Sequence, residues 1–110
     1  MPQYLYQIAY TSESLAAQIK NPQDRLELVG KQIADAVGAK IIGGGYSYGE
    51  YDASMIVDAP DEVTMAAVAI AIAAGGAIKL AKTTPLLSGS QWVAALKKAP
   101  AVSAQYRPAR

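Results

Sequence analysis

The side chains best suited to chemistry lie together in residues 43–52, whose sequence is GGGYSYGEYD. Asp52 begins a strand-like run there, and alternation directs its side chain to the sheet face away from the predicted helices, near Tyr46 or Tyr48. A carboxylate in an aromatic-lined cavity has its pKa raised by desolvation, which prepares the group for proton transfer. We therefore predict Asp52, Tyr48 and Glu50 as candidate catalytic groups.

The same ten residues also have a structural interpretation. Gly49 suits a tight turn, and an aspartate such as Asp52 often bonds nearby backbone N–H groups. Tyrosine rings can pack at a subunit interface with the hydroxyl bonded, or they can line a pocket for a flat ligand. The tyrosines that fit either role are Tyr4, Tyr6, Tyr10, Tyr46, Tyr48 and Tyr51. Tyr46 and Tyr51 are accordingly candidate ligand-binding residues.

Lys79 and Thr83, on a predicted fourth strand, are further candidates for ligand binding. Lys79 and Lys82 are three residues apart, so they point to opposite faces of the sheet. One of them could reach an anionic ligand in a cavity between subunits, alongside Thr83. The alternative is that a lysine on an edge strand prevents edge-to-edge pairing between chains.

Three consecutive glycines, residues 43–45, invite comparison with phosphate-binding loops. Dinucleotide-binding glycines lead from a strand into a helix N-terminus, where backbone donors and the helix dipole meet the anion. These glycines lead into another strand, so they indicate a bulge, a bend or a close backbone approach instead.

Pro2 is a separate candidate. If Met1 is removed, an N-terminal proline amine could act as a general base, as in tautomerases that begin this way. That chemistry requires the amine to lie in a pocket at the start of the first strand. The rest of the chain does not resemble a tautomerase.

Composition excludes several classes of function. The 110 residues contain no Cys and no His, which removes disulfides, thiolate nucleophiles, imidazole bases and the common zinc sites. The formal net charge of +1 is unlike the basic character of nucleic-acid-binding proteins. We predict no metal site, no cofactor and no nucleic-acid partner. The absence of cysteine fits a reducing cytoplasm, where we expect the protein to be located.

A folded, soluble protein is expected, because 52% of the residues are hydrophobic and 17% are charged. The longest apolar run, residues 63–78, is shorter than the roughly 20 residues that span a bilayer. The N-terminus lacks the basic start and apolar core of a signal peptide. We therefore predict no membrane partner. The chain is divided into one domain, residues 1–99, and a tail, residues 100–110, which has no acids and no periodicity.

Alternation of side chains predicts four strands. They span residues 4–11, 39–48, 51–58 and 77–84. On the first strand, one face carries Tyr4, Tyr6, Ile8 and Tyr10. On the third strand, Ala53, Met55 and Val57 alternate with Asp52, Ser54, Ile56 and Asp58.

Two main helices and a short last one are predicted. The first begins at Asn21-Pro22, with Asn21 as its N-cap, and ends at Gly38. The second, residues 61–74, starts at favourably placed acids and is apolar nearly all round. The last helix, residues 90–99, has three large apolar side chains that are expected to face inward: Trp92, Val93 and Leu96.

This βαββαβ order predicts an α+β, ferredoxin-like fold, an antiparallel four-stranded sheet with both helices on one face, plus the short C-terminal helix. The other sheet face is uncovered in a monomer, which an antiparallel sheet tolerates only where that face is polar. Either the tyrosines and isoleucine of the first strand or Ile56 of the third would then contact water. We therefore predict a homo-oligomer, a dimer or larger, in which a second chain covers that face.

The chain also resembles the GYD-domain proteins, a small bacterial family. The resemblance rests on the strand at 4–11, the segment IKNPQDR at 19–25, the sequence GEYD at 49–52 and the junction VDAPD at 57–61. It covers residues 4–99, and it implies a ferredoxin-like domain akin to dimeric α/β-barrel proteins, in which two sheets face each other around a shared cavity. It implies no particular substrate.

Two main functions follow. The first is a homo-oligomeric binding or structural domain that assembles through its sheet face, with a small-molecule ligand as an optional partner. The alternative is a small-molecule enzyme of the dimeric α/β-barrel type, in which the carboxylate and tyrosine of the Gly-Glu-Tyr-Asp hairpin transfer a proton. A scaffold or filament subunit, with repeated contacts by the C-terminal tail, is a third option. The sequence leaves open whether the protein is an enzyme.

Overall fold

The computed structural model describes residues 1–109 and contains, within them, four strands and four helices. In chain order these are β1 (Gln3–Tyr10), α1 (Ser12–Lys20), α2 (Arg25–Val37), β2 (Lys40–Tyr46), β3 (Ala53–Asp58), α3 (Glu62–Ala74), β4 (Ile78–Leu86) and α4 (Gly89–Ser103). The predicted order of the four strands, the two main helices and the last helix is therefore confirmed, α1 is a further helix, and β4 runs two residues further than predicted.

The strands form one sheet in the order β2-β3-β1-β4, and every neighbouring pair is antiparallel. β1 is central, since its Leu5 lies opposite Ile56 of β3 and Thr84 of β4. β2 and β4 are the edges. This arrangement confirms the predicted α+β, ferredoxin-like fold with a C-terminal helix.

The tyrosine-rich face of β1 forms the core of the domain. Its side chains and the alternate residues of β3 are 7% exposed or less: Tyr4, Tyr6, Ile8, Tyr10, Ala53, Met55 and Val57. They pack with the buried Met65 and Val68 of α3 and with partly buried residues of α2 such as Leu26 and Ile33. The sequence leaves open which face of the sheet the helices cover, and the structure shows that they cover the tyrosine-rich face of β1. Ile56 lies on the opposite face and is half-buried.

α2 begins later than predicted. Its N-cap is Asp24, whose carboxylate accepts a hydrogen bond of 3.2 Å from the N–H of Glu27, whereas Asn21 is the C-cap of α1. A carboxylate at the N-cap satisfies a free backbone donor and interacts favourably with the helix dipole, which explains the later start. Gly38 ends the helix as predicted, with a φ of 74°.

The connection between β2 and β3 is longer than predicted. Residues 47–52 form it, whereas the sequence predicts a connection of only residues 49 and 50. The register of the β2–β3 pair shifts between Ile41 and Gly43. Gly44 has a φ of 121°, and a Cβ there would overlap the carbonyl oxygen of Ser54. The expectation that these glycines mark a bulge and a close backbone approach is therefore confirmed.

α3 begins where its acids predict. Asp61 is the N-cap and accepts a hydrogen bond of 2.7 Å from the N–H of Thr64. Met65 is buried on one side, whereas Val63 and Ile70 are 79% and 69% exposed. The sheet therefore covers one side of this nearly all-apolar helix. Within residues 1–109, no helix combines the length and the apolar character needed to cross a membrane.

α4 departs most from the prediction. It is 15 residues long and continues through Pro100, so the predicted boundary between domain and tail falls inside a helix. Its large apolar side chains do not face the core of their own chain, because the exposed fractions are 58%, 47% and 54% for Trp92, Val93 and Leu96. The radius of gyration is 17.5 Å, against about 13 Å for a compact chain of this length. α4 therefore projects from the sheet edge.

The connection before α4 is short. Only residues 87 and 88 separate β4 from α4, and Ser88 forms a capping box with Gln91 that starts the helix at once. α4 therefore begins directly at the end of the edge strand β4.

Candidate functional site

Asp52 links the hairpin connection to the central strand. Its half-buried carboxylate accepts a hydrogen bond from the backbone N–H of Tyr10, with 2.8 Å between Oδ2 and N. Its own N–H donates to the carbonyl oxygen of Ile8, also at 2.8 Å. The regular β1–β3 pairing ends at Ile8, so Asp52 satisfies a backbone donor that lies beyond the ladder. The carboxylate is thus bonded to a neighbouring strand and not only to its own turn.

Tyr46 joins the end of β2 to the start of α2. Its hydroxyl donates to Oδ1 of Asp24 and accepts from the N–H of Leu26, both at 2.8 Å. The hydrogen bond from Tyr46 is the largest cause of the lowered pKa of the Asp24 carboxyl, followed by the N–H of Glu27. Partial burial raises the pKa of Tyr46 itself. The hydroxyl of Tyr46 is therefore engaged within its own chain.

The other predicted hairpin residues point mainly into solvent. Tyr48 is 99% exposed and Glu50 is also exposed, whereas Tyr51 is half-buried. Ser47 closes the connection, because its hydroxyl and its N–H donate to the carbonyl oxygens of Tyr51 and Asp52 at 2.7 and 2.8 Å. The hairpin is therefore held mainly by its backbone, and its tip is free.

The predicted residues on β4 lie away from the hairpin. Lys79 is exposed near the start of the strand. Thr83 lies opposite Tyr6, on the helix-facing side, where it lines a shallow hollow with Met65. The structure thus brings Asp52 to the end of β1 but does not bring Thr83 beside it.

A cavity of about 550 Å³ lies between α2 and α3 on the helix side of the sheet. β1 and β3 form its floor. Its larger apolar lining residues are Ile8, Leu26, Val29, Ile33, Val37, Met55, Val68, Ile72 and Ile78. Four lining side chains carry polar groups: Tyr6, Tyr10, Arg25 and Gln32. Space remains because the helices face each other with small residues, among them Ala36, Ala67 and Ala71.

The hydroxyl of Tyr6 is an unusual group of the core, and it is almost inaccessible from this cavity. The residue is 1% exposed, and the hydroxyl has no hydrogen-bond partner among residues 1–109. Buried hydroxyls nearly always have a partner, since burial without one costs about 1–3 kcal/mol. Burial raises the pKa of Tyr6, so the hydroxyl is neutral near pH 7 and can both donate and accept a hydrogen bond.

Tyr10 and Arg25 are two further polar residues of the cavity lining. Burial is the largest cause of the raised pKa of Tyr10; Tyr46 and Asp52 raise that pKa further, while the guanidinium of Arg25 lowers it. Arg25 is half-buried at the first position of α2 and has no ion-pair partner within the described part of the chain.

Part of this cavity follows from the sequence. Alternation along β1 groups Tyr6 with Tyr10, and the tyrosine set is predicted to line either a pocket or an interface. Arg25, Gln32 and Ile33 are absent from the predicted sites, because they are typical of any amphipathic helix. The available signal is the series of alanines on α3. Within residues 1–109, no three carboxylate side chains come together as a metal site.

A family model described as GYD domain matches residues 4–96 of the chain. This range includes all four strands except Gln3 at the start of β1, together with α1 to α3 and the first half of α4. No curated protein and no solved structure matches the chain.

Proposed function

The chain belongs to the GYD domain family, and we propose that it is a homo-oligomeric binding domain that assembles through the open face of its sheet. The open face is the side away from α2 and α3. Its members, by register, include Leu5, Gln7, Ser54, Ile56, Leu80, Lys82 and Thr84. The observation that carries the proposal is an apolar pair, Leu5 and Ile56, at the centre of this uncovered face.

The open face combines an apolar row with a polar row. Leu5 lies directly opposite Ile56 on the neighbouring strand, and both are half-buried within their own chain. In the next row, the amide of Gln7 donates to the hydroxyl of Ser54 at 3.3 Å. Mixed surfaces of this kind are typical of protein–protein interfaces, which are not much more apolar than other surfaces.

Glycines flatten one side of the open face. Gly43 lies opposite Ile56, and Gly45 lies opposite Ser54. A Cβ at either glycine would meet nothing within 4 Å, so the space above β2 is open. A second sheet could approach the backbone closely there.

α4 offers further apolar surface for assembly. Trp92 and Leu96 are more than half exposed and are four residues apart, so they lie on one side of the helix. Stable interfaces bury about 1,200–2,000 Å² in total, and buried aromatic side chains often contribute most of the binding energy. An interface that includes both the open face and α4 would bury more apolar surface than an interface through the sheet alone.

The test compares two single substitutions by analytical ultracentrifugation at micromolar concentration. We expect the wild-type chain to sediment as a dimer or larger species, and Ile56→Glu to sediment as a single chain because a carboxylate is buried without a partner. Val63→Glu, an equal change at an exposed position of α3, is expected to leave the assembly intact. A wild-type single chain, or dissociation by Val63→Glu alone, would contradict assembly through the open face.

The alternative, proton transfer at the hairpin, remains a hypothesis centred on Asp52. Its carboxylate already accepts a hydrogen bond from Tyr10, while Tyr48 and Glu50 are exposed, so we do not favour it. A cytoplasmic location likewise remains a prediction.

A further inference from the structure

We propose that α4 of one chain binds the groove between α2 and α3 of a second copy. The groove is the cavity of about 550 Å³ described above, with β1 and β3 as its floor. It lies on the opposite side of the sheet from the open face, so this contact goes beyond assembly through that face and joins the chain to a further copy. The inference depends on the lining of the groove, the exposed apolar side of α4 and the distribution of charge.

The groove has the character of a helix-binding site. Val29 and Ile33 of α2 line it together with Ile72 of α3, and all three are only half-buried in the single chain. Ala67 and Ala71 of α3 also line it and are exposed, so a further helix could approach α3 closely. An apolar groove between two helices is a common site for the apolar side of an amphipathic helix.

α4 presents the matching surface. Trp92, Leu96 and Ala99 are spaced by four and three residues, so they form one apolar stripe along the helix. This is the spacing with which an amphipathic helix binds a groove. No helix or strand of residues 1–109 packs extensively against α4, and every described residue of α4 is exposed. The stripe is therefore available to a second copy.

The groove and α4 also agree in length. The lining residues of α2 run from Arg25 to Val37, which corresponds to about 18 Å at the helical rise per residue. α4 contains 15 residues and is about 22 Å long. α4 can therefore span the whole groove.

Charge favours this groove over pairing of α4 with α4. All nine acidic residues lie in residues 1–62, whereas residues 63–110 contain six basic residues and no acid. The charged residues of α4 are Lys97 and Lys98, so two copies of α4 packed together would bring like charges close. α2, one wall of the groove, carries the exposed Asp35, which has no ion-pair partner within the described part of the chain. α4 and the α2 side of another copy are therefore complementary in charge.

The proposed contact is small. One apolar stripe in a groove buries less than the roughly 1,200 Å² of a standard stable interface. We therefore expect the groove contact to form at higher protein concentration than assembly through the open face. Because the two surfaces differ, the contact is head-to-tail and can build larger assemblies.

Trp92 gives a direct measure of this contact, because it is the only tryptophan and is 58% exposed in the single chain. The experiment uses the full chain with Ile56→Glu, which removes assembly through the open face and leaves α4 unchanged. As concentration rises from micromolar toward millimolar, we expect the Trp92 emission to shift to shorter wavelength and its quenching by acrylamide to fall, since the indole leaves water. Sedimentation equilibrium should show association of the same samples.

Two further substitutions on α3, in the Ile56→Glu background, test the groove itself. Ala71 lines the groove and Ala73 does not, and both are exposed in the single chain, so neither change should prevent folding. Ala71→Glu should keep Trp92 exposed at every concentration, because binding of α4 would bury a carboxylate without a partner. Ala73→Glu is the matched control and should retain the full shift.

A mixing experiment tests whether α4 and the groove come from different chains. One chain carries Ile56→Glu and Ala71→Glu, so it supplies α4 with its tryptophan but no usable groove. The other carries Ile56→Glu and Trp92→Glu, so it supplies the groove and no tryptophan emission. Neither chain should show the shift alone, and mixing the two should restore it.

The proposal is wrong if the Trp92 emission does not change with concentration, if Ala71→Glu and Ala73→Glu have equal effects, or if mixing restores no shift. A shift in wild type that Ile56→Glu abolishes would assign α4 to the open face, and would overturn this inference but not assembly through that face. Conversely, an Ile56→Glu variant that sediments like wild type at micromolar concentration would contradict assembly through the open face, while the Ala71→Glu comparison would still decide the groove contact.

Discussion

The β1–β3 strand pair and α4 both carry apolar side chains, but these side chains are buried in the strand pair and exposed on α4. Along β1 and β3, alternate side chains are almost completely buried beneath α2 and α3. Along α4, every described residue is exposed, including Trp92 and Leu96. The difference shows that the strand pair and its covering helices hold the chain together, whereas α4 leaves its apolar surface available for another molecule.

The largest effect on stability is expected from a substitution in the buried core. Met65→Ala should lower the free energy of unfolding by about 2–5 kcal/mol, because it removes a buried side chain and leaves a cavity. Urea denaturation would measure it. Val63→Ala, on the exposed side of the same helix, should change the free energy by less than about 0.5 kcal/mol. Equal losses for the two variants would mean that both sides of α3 are buried in solution.

The second prediction concerns the glycines of β2. Gly44→Ala should destabilise the chain by about 1–3 kcal/mol, because φ is positive there and the added Cβ overlaps the Ser54 carbonyl. Gly45→Ala has open space and should be neutral or slightly stabilising, since alanine reduces the freedom of the unfolded chain. Denaturant midpoints compare the two. A neutral Gly44→Ala would mean that the β2 bulge is not fixed by this residue.

A smaller effect on stability is expected from a substitution on the exposed surface of α4. At a dilution where the protein sediments as a single chain, Leu96→Ala should alter the free energy of unfolding by less than about 0.5 kcal/mol. At higher concentration it should weaken self-association, which sedimentation equilibrium measures. A large loss of stability in the dilute single chain would show that α4 packs on its own domain.

The smallest effect concerns the link between Tyr46 and α2. The pKa of Asp24 is lowered chiefly by the Tyr46 hydroxyl, so Tyr46→Phe should move that pKa back toward its ordinary value in an NMR titration. A lowered pKa in the folded state gives stability above the unfolded pKa that is lost as pH falls through the folded pKa. Wild type should therefore lose more stability than Tyr46→Phe over that acidic range. Tyr48→Phe, at an almost fully exposed position, should leave the titration of Asp24 unchanged.

Local sequence signals predicted which helices and strands form better than they predicted where those elements begin and end. Asp61 caps α3 and Gly38 ends α2, since both depend on one residue and its immediate neighbours. Asn21-Pro22 suggested an earlier start for α2, because the pattern does not reveal that Tyr46 holds the carboxylate of Asp24. The cavity could be predicted only in part, because its width depends on the separation of two helices that are distant in sequence.

The sequence by itself determined which side chains share a face, because a strand alternates with period two and a helix repeats every 3.6 residues. It also determined the order of elements, from which the ferredoxin-like fold follows. Only the tertiary structure decided which face of β1 the helices cover, how far α2 stands from α3, and that Tyr6 lacks a partner. Those outcomes depend on the path of the connections and on contacts between distant segments, which local periodicity does not encode.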